Sequence, residues 1–167
     1  MLLLKVFQAS NKRKVRYLVV GGVATVLYGN PRFAKDLDVW VDAAEENLKK
    51  LIAAVKSLEF IPRVPMKAED FISKENRKRW RREKNMLAFT FINPKNPFEN
   101  VDILTEGPVP FNLAYQRKKM FRAGTVKIPT LSQTDLIRMK QKAGRPQDLE
   151  DVRILKATSL KKTHEKT

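Results

Sequence analysis

Three aspartates and a glycine pair carry the chemistry available to this sequence. Asp36-Leu37-Asp38 sets two carboxylates at i and i+2, and on a strand such positions face the same side. Carboxylates held side by side repel and destabilise the fold unless something neutralises them. A divalent cation does this, and magnesium takes carboxylate oxygens together with water and substrate phosphate. Two such ions about 3.5–4 Å apart can activate an attacking hydroxyl and stabilise a leaving pyrophosphate. Asp102, in Asn100-Val101-Asp102-Ile103-Leu104, is a third carboxylate on a strand candidate. If that strand lies beside 37–41, the three converge. Asp36 and Asp38 then bind both metals, while Asp102 binds the catalytic one and helps to deprotonate an acceptor hydroxyl.

Upstream, Tyr17-Leu18-Val19-Val20 runs into Gly21-Gly22. Glycines opening a helix let backbone N–H groups approach a phosphate. Each feature has a plain alternative: Asp-x-Asp also decorates strand ends, and paired glycines also serve tight turns. The order matters more than either piece. Strand, Gly-Gly, helix and then Asp-x-Asp reads as a phosphate cradle followed by a metal pair, which suits phosphoryl or nucleotidyl transfer.

A second feature is a basic run. Lys74, Arg77, Lys78, Arg81 and Arg82 stand at i, i+3, i+4, i+7 and i+8, one face of a helix. Such a stripe suits a phosphate backbone, an acidic protein, or simply solvent. Trp80 lies off that face as a candidate anchor to the body of the protein.

These residues need elements to position them. The apolar run 17–20 reads as a buried strand and 23–28 as a helix. Residues 37–41 alternate as a strand. Leu48, Leu51, Ile52, Val55 and Leu58 fall at helical spacing, with Glu45 and Glu46 in the first turn. Residues 86–92 and 100–104 are strand candidates on either side of a Pro/Asn-rich turn, an antiparallel pair. Residues 1–14 read as a short helix and 125–128 as a short strand. Residues 134–143 form a helix stopped by Gly144, and Pro146 opens another that runs to about Ala157. The fold class is α/β (α+β), one mixed β-sheet flanked by helices. A single domain over 1–157 with a flexible polar tail at 158–167 is expected.

Composition sets the bounds. The 167 residues carry 34 Lys+Arg against 18 Asp+Glu, a net charge of +16. That balance points to a polyanionic partner such as RNA, DNA or nucleotides. With no cysteine, disulfides, zinc ribbons and thiol catalysis are excluded. The one histidine, His164, falls in the polar tail, which argues against a Ser-His-Asp triad or a histidine metal cage. The opening Met1-Leu2-Leu3-Leu4-Lys5 is too short for a signal or membrane segment. A cytoplasmic protein with no membrane partner is expected.

The stretch Val20-Gly21-Gly22-Val23-Ala24, Arg32, Asp36-Leu37-Asp38-Val39-Trp40 resembles the signature of the polymerase-beta-like nucleotidyltransferase superfamily. Val101-Asp102-Ile103-Leu104, Phe111-Asn112-Leu113-Ala114 and Lys140 to Val152 resemble the minimal nucleotidyltransferases related to AbiEii-type toxins. The resemblance covers about residues 16–155 and is weakest between 60 and 95. It implies a nucleotidyltransferase fold, two magnesium ions, and transfer of a nucleoside monophosphate from an NTP to a hydroxyl of RNA (tRNA-like) or protein. A toxin–antitoxin setting with a cognate antitoxin or toxin is implied in the same way. Gly21, Gly22, Asp36, Asp38 and Asp102 match the pattern directly. Ala34 departs from it, since a Thr or Ser is usual before the first Asp.

By the same resemblance, Lys140 meets the triphosphate and Asp148 orients Lys140 or Arg145 as part of the nucleotide site. Read alone, Lys140, Arg145, Asp148 and Asp151 are helix-end charges with an Arg145–Asp148 ion pair. Arg32 is a further phosphate candidate or an ordinary loop arginine. A catalytically inactive nucleic-acid-binding module on the same fold is the alternative to an enzyme.

Overall fold

The structure is a computed structural model and describes residues 2–164. Its centre is a seven-stranded mixed sheet in the order β3-β4-β5-β2-β1-β7-β6. The strands are β1 (Tyr17–Val20), β2 (Leu37–Val41), β3 (Ile61–Pro62), β4 (Phe89–Asn93), β5 (Asn96–Leu104), β6 (Lys119–Ala123) and β7 (Val126–Thr130). The helices are α1 (Leu2–Lys12), α2 (Gly21–Leu27), α3 (Glu45–Ser57), α4 (Lys74–Lys84), α5 (Phe111–Gln116), α6 (Gln133–Ala143) and α7 (Pro146–His164). A short 3-10 turn spans Ala68–Ile72. The mixed sheet with flanking helices is the architecture expected from the sequence.

β1 is central because all four of its side chains are buried, as a strand covered on both faces requires. It pairs antiparallel with β2, which pairs parallel with β5, which pairs antiparallel with β4. Side-chain alternation then sorts the two faces. Asp38 and Trp40 of β2 share a face with Asp102 of β5 and Thr90 of β4, their register partners or next-but-one neighbours. Leu37, Val39, Val101, Ile103, Phe89 and Phe91 point the other way.

That second face is closed by α1, the 3-10 turn and α4. Phe7 stacks on Tyr17, and both Phe71 and Trp80 pack on Phe89 with ring centroids 4.8 and 5.7 Å apart. Trp80 is therefore the buried anchor of α4. Ser73 caps this helix by accepting from the Asn76 amide, and Asn85 ends it in the left-handed conformation. On the first face Phe111 of α5 meets Trp40 edge-on at 5.3 Å. Ser132 caps α6, and Gly144 closes it at φ 66°, so that α7 folds back against it.

Several boundaries differ from the sequence reading. α2 begins at Gly21 itself. β4 starts at Phe89 rather than Met86, and β5 extends back to Asn96 through what reads as a turn. The turn is tight enough for Asn93 and Asn96 to pair directly, with a register shift next to it. β3 with two residues and α5 with six are too short to show a period, and the large apolar residues of β6 are bracketed by Lys119 and Arg122. α7 continues to His164, seven residues past its expected end; the rest of the expected tail, 165–167, lies outside the described residues. No helix among the described residues is long and apolar enough to cross a membrane.

Candidate active site

Register builds the site. Val20, the last residue of β1, pairs with Asp38, and Asp38 pairs with Asp102. Gly21, one step beyond Val20, is thus driven against the Asp38 carboxylate. It sits at φ 63°, and a Cβ there would overlap Asp38 Oδ2. Both facts demand glycine. A Cβ on Gly22 would come within 2.5 Å of Arg32 Nη2 and 3.3 Å of the Ala34 methyl. The bare faces of the two glycines are therefore covered by a carboxylate and a guanidinium.

Asp36, Asp38 and Asp102 are brought together at this point. Burial pushes the Asp38 carboxyl up to about 7, with repulsion from Asp102 and Asp36 adding to it and attraction from Lys140 and Arg145 partly offsetting it. The two outer carboxylates are held in place. Thr90 Oγ1 donates to Asp102 Oδ1 at 2.5 Å, and Asn100 Nδ2 donates to Asp36 Oδ1 at 3.1 Å. Leu37 pairs with Val101, so Asp36 and Asn100 lie side by side.

Among the described residues, no group of three or more His, Asp or Glu side chains is arranged to hold a metal ion. The donor chemistry nonetheless fits one: all the donors are carboxylate oxygens, and mutual repulsion leaves negative charge short of cations. Hard divalent ions prefer such a set.

Beside the carboxylates lies a buried ionic cluster from α6 and α7. Lys140 Nζ donates to Asp151 Oδ2 at 2.7 Å and stands 3.6 Å from Asp148 Oδ1. Side-chain exposure is only 5% for Lys140 and 0% for Asp151. Asp151 also accepts from Asn30 Nδ2 at 3.1 Å and Gln147 Nε2 at 3.3 Å, and faces Arg32 Nε at 3.5 Å. Arg145 Nε donates to Asp148 Oδ2 at 2.6 Å, with 76% of its side chain exposed. Burial pushes the Asp148 carboxyl up, but the Arg145 bond and charge, with Lys140, outweigh it and hold it below the ordinary range.

So Arg32, Lys140, Arg145 and Asp148 gather in one cluster near the carboxylates. Its hub is Asp151, which in the sequence stands only as one of several helix-end charges. Asn100 and Thr90 are further partners of the carboxylates that the sequence pattern does not single out. Asn100 does carry one signal: it precedes Asp102 by two on a strand and so shares its face.

The basic stripe stands elsewhere. Lys74, Arg77, Lys78, Arg81 and Arg82 line a groove of about 580 Å³ floored by Phe89 and Ile103, on the sheet face opposite the carboxylates. Its members are not equivalent. Arg77 turns inward and donates from Nη1 to the carbonyls of Phe71 and Ile72, each at 2.7 Å. Arg81 is paired with Glu106. Lys74, Lys78 and Arg82 are exposed.

Solved structures share this fold. A protein from Thermotoga maritima assigned as a nucleotidyltransferase is 22% identical, with a TM-score of 0.54 over 99% of this chain and 92% of its own. ANT(2")-Ia, solved with adenylyl-2"-tobramycin, is 17% identical, with a TM-score of 0.60 over 95% and 87%. The lincosamide antibiotic adenylyltransferase LnuA, solved with lincomycin, is also 17% identical, with a TM-score of 0.58 over 89% and 90%. Among curated proteins nothing matches the chain. Residues 3–163 match the family model described as "Nucleotidyltransferase of unknown function (DUF6036)", and the chain belongs to that family of nucleotidyltransferases.

Proposed function

We propose that this nucleotidyltransferase is magnesium-dependent and moves a nucleoside monophosphate from an NTP to a hydroxyl of RNA. The observation that carries the reading is the in-register pair Asp38–Asp102 beside Asp36, three carboxylates on one face next to the Gly21-Gly22 turn. Asp36, Asp38 and Asp102 would hold the divalent cation or cations. Bound there, magnesium supplies charge neutralisation at the α-phosphate and makes the acceptor hydroxyl more acidic.

The protein's own groups divide the remaining work. Gly21 and Gly22 offer backbone N–H groups to the triphosphate. Arg145, exposed and aimed by Asp148, and Arg32, laid over Gly22, meet its oxygens. Lys140 acts as a buried positive charge behind the site. Asp102, steadied by Thr90, takes the proton of the acceptor hydroxyl. The hydroxyl oxygen bonds to the α-phosphorus, the α–β bridging P–O bond breaks, and pyrophosphate leaves with that electron pair.

Charge favours an anionic acceptor. The net charge is +16, and Arg32 and Arg145 flank the carboxylates. An aminoglycoside such as the tobramycin of ANT(2")-Ia is itself a polycation and suits this rim poorly. Lys74, Lys78 and Arg82 on α4 would hold backbone phosphates at a distance from the chemistry, while Arg77 is tied to the Phe71 and Ile72 carbonyls and Arg81 to Glu106. The resemblance to AbiEii-type toxins adds a toxin–antitoxin role and a cognate protein partner to the same reading. The body over 1–157 would act as one domain in the cytoplasm.

A second reading is an inactive, nucleic-acid-binding member of the fold. It draws on Ala34, whose methyl faces Gly22 where a Ser or Thr would present a hydroxyl. The experiment that separates the two is incubation with each α-labelled NTP, magnesium and total RNA, beside Asp36→Ala/Asp38→Ala. Label entering RNA and lost in the double variant is the expected result. Label entering protein alone overturns the RNA acceptor. Salt-sensitive RNA binding without transfer by any NTP leaves the binding module.

A further inference from the structure

We infer that Phe98, Asn100 and Lys35 form the seat for the terminal unpaired nucleotide of the RNA acceptor, its base stacked on Phe98. The inference rests on the nucleotidyltransferase reading above and adds to it a subsite made of residues outside the family pattern.

Phe98, Asn100 and Asp102 occupy alternate positions of β5. Asn100 and Asp102 share the carboxylate face, with Asp102 where the acceptor hydroxyl must be. Phe98 lies in the register shift between the Asn100 and Asn96 pairings and is placed by Lys35, the neighbour of Asp36; 69% of its surface is exposed. The Lys35 ammonium lies 4.7 Å from the centroid of its ring. A cation on one face of an aromatic ring steadies it and leaves the other face for a flat partner.

Asn100, between Phe98 and Asp102 along β5, is 9% exposed. Its amide nitrogen is spent on Asp36, but its Oδ1 is buried without a hydrogen-bond partner. A buried acceptor left unpaired costs free energy until a donor arrives. A ribose hydroxyl is such a donor, and it comes attached to a base.

The side of the sheet fits the acceptor rather than the NTP. The Gly21-Gly22 turn ends β1, and the order β1-β2-β5 puts Phe98 two strands away from it. The triphosphate and a group seated on β5 thus approach the carboxylates from opposite sides. Unpaired bases stack on aromatic side chains whatever their identity, whereas a protein acceptor has no base to offer.

The test uses binding rather than turnover. The probe is a short single-stranded RNA with 2-aminopurine as its last base, beside the same RNA ending in an abasic residue and in a 2′-deoxy residue. Wild-type protein quenches the 2-aminopurine and prefers the base-bearing end about tenfold. Phe98→Ala loses both the quenching and the preference, and Phe98→Trp keeps them. The 2′-deoxy end binds about fivefold more weakly than the ribose end, and Asn100→Ala removes that difference.

An unquenched probe, or quenching that survives Phe98→Ala, overturns the seat even if transfer to RNA is observed. Equal binding of the ribose and 2′-deoxy ends removes Asn100 from it. Quenching that depends on Phe98, in a protein that transfers nothing, overturns the enzyme reading and leaves the seat standing. Phe98 is largely exposed, so its truncation leaves the core intact; matched circular dichroism of the two Phe98 variants checks this.

Discussion

Asp38 lies against the Cα of Gly21, so closely that the carboxylate occupies the space any Cβ would need. The contact follows from register, since Val20 and Asp38 are paired and Gly21 is the next residue. The glycine turn and the carboxylate cluster are thus one unit. Moving either moves the other.

The first prediction concerns charge. Asp38 titrates near 7 in the folded protein, above its ordinary 3.8. A raised carboxyl binds its proton more tightly when folded. The stabilisation it gives is complete below about pH 4, fades as pH rises, and is gone above about 7. The loss is on the order of 4 kcal/mol. Asp38→Asn should therefore melt higher than wild type at pH 8 and about equally at pH 4, while transferring no nucleotide. Magnesium should raise the wild-type melting temperature at pH 8 and leave Asp38→Asn unmoved. Thermal melts across pH, with and without magnesium, check both.

Gly21→Ala and Gly124→Ala make a matched pair. Both glycines have φ near 60°, but nothing lies within 4 Å of a Cβ at Gly124. The left-handed backbone alone costs about 1–2 kcal/mol for alanine. Gly124→Ala should lose that much by urea unfolding and keep its activity. Gly21→Ala should lose more and abolish transfer, because Asp38 is displaced.

The buried cluster predicts an asymmetry. Asp151→Ala strands the Lys140 ammonium with only Asp148 at 3.6 Å, and an uncompensated buried charge costs about 3–5 kcal/mol. Lys140→Met leaves Asp151 with Asn30, Gln147 and Arg32. It should cost less. Denaturant unfolding of the two variants gives the comparison directly.

On α4 the basic residues should separate by role. Arg77→Ala removes the donor to two carbonyls and should destabilise by about 1–3 kcal/mol with no change in the salt dependence of RNA binding. Lys78→Ala should leave folding alone and lower the slope of log K against log salt by about 1. Equal slopes for Lys78→Ala and wild type would remove α4 from the RNA surface.

How far these features were legible depends on distance along the chain. Periodicity exposed α3, and the run Tyr17–Val20 exposed β1, because each signal is complete within a few residues. The pairing of Asp38 with Asp102 could be guessed, since both sit on strand-like segments. Its register could not, because it is fixed by β2 and β5 packing side by side. β3, with two residues, and β6, with two basic side chains in five, have no period to detect. The basic stripe of α4 was visible as a pattern. That Arg77 turns inward was not, because its partners are the free carbonyls at the end of the preceding 3-10 turn.

Asp151 and Asn30 meet across 121 residues of chain. During synthesis the glycine turn, the carboxylates and Arg32 emerge long before the aspartate that anchors that arginine. Until α7 leaves the ribosome and docks, the nascent chain holds an arginine with no anchor and carboxylates without Lys140 or Arg145 nearby. The complete site therefore needs α7, and a chain released before α7 is made holds the carboxylates and Arg32 without Arg145, Asp148 and Asp151.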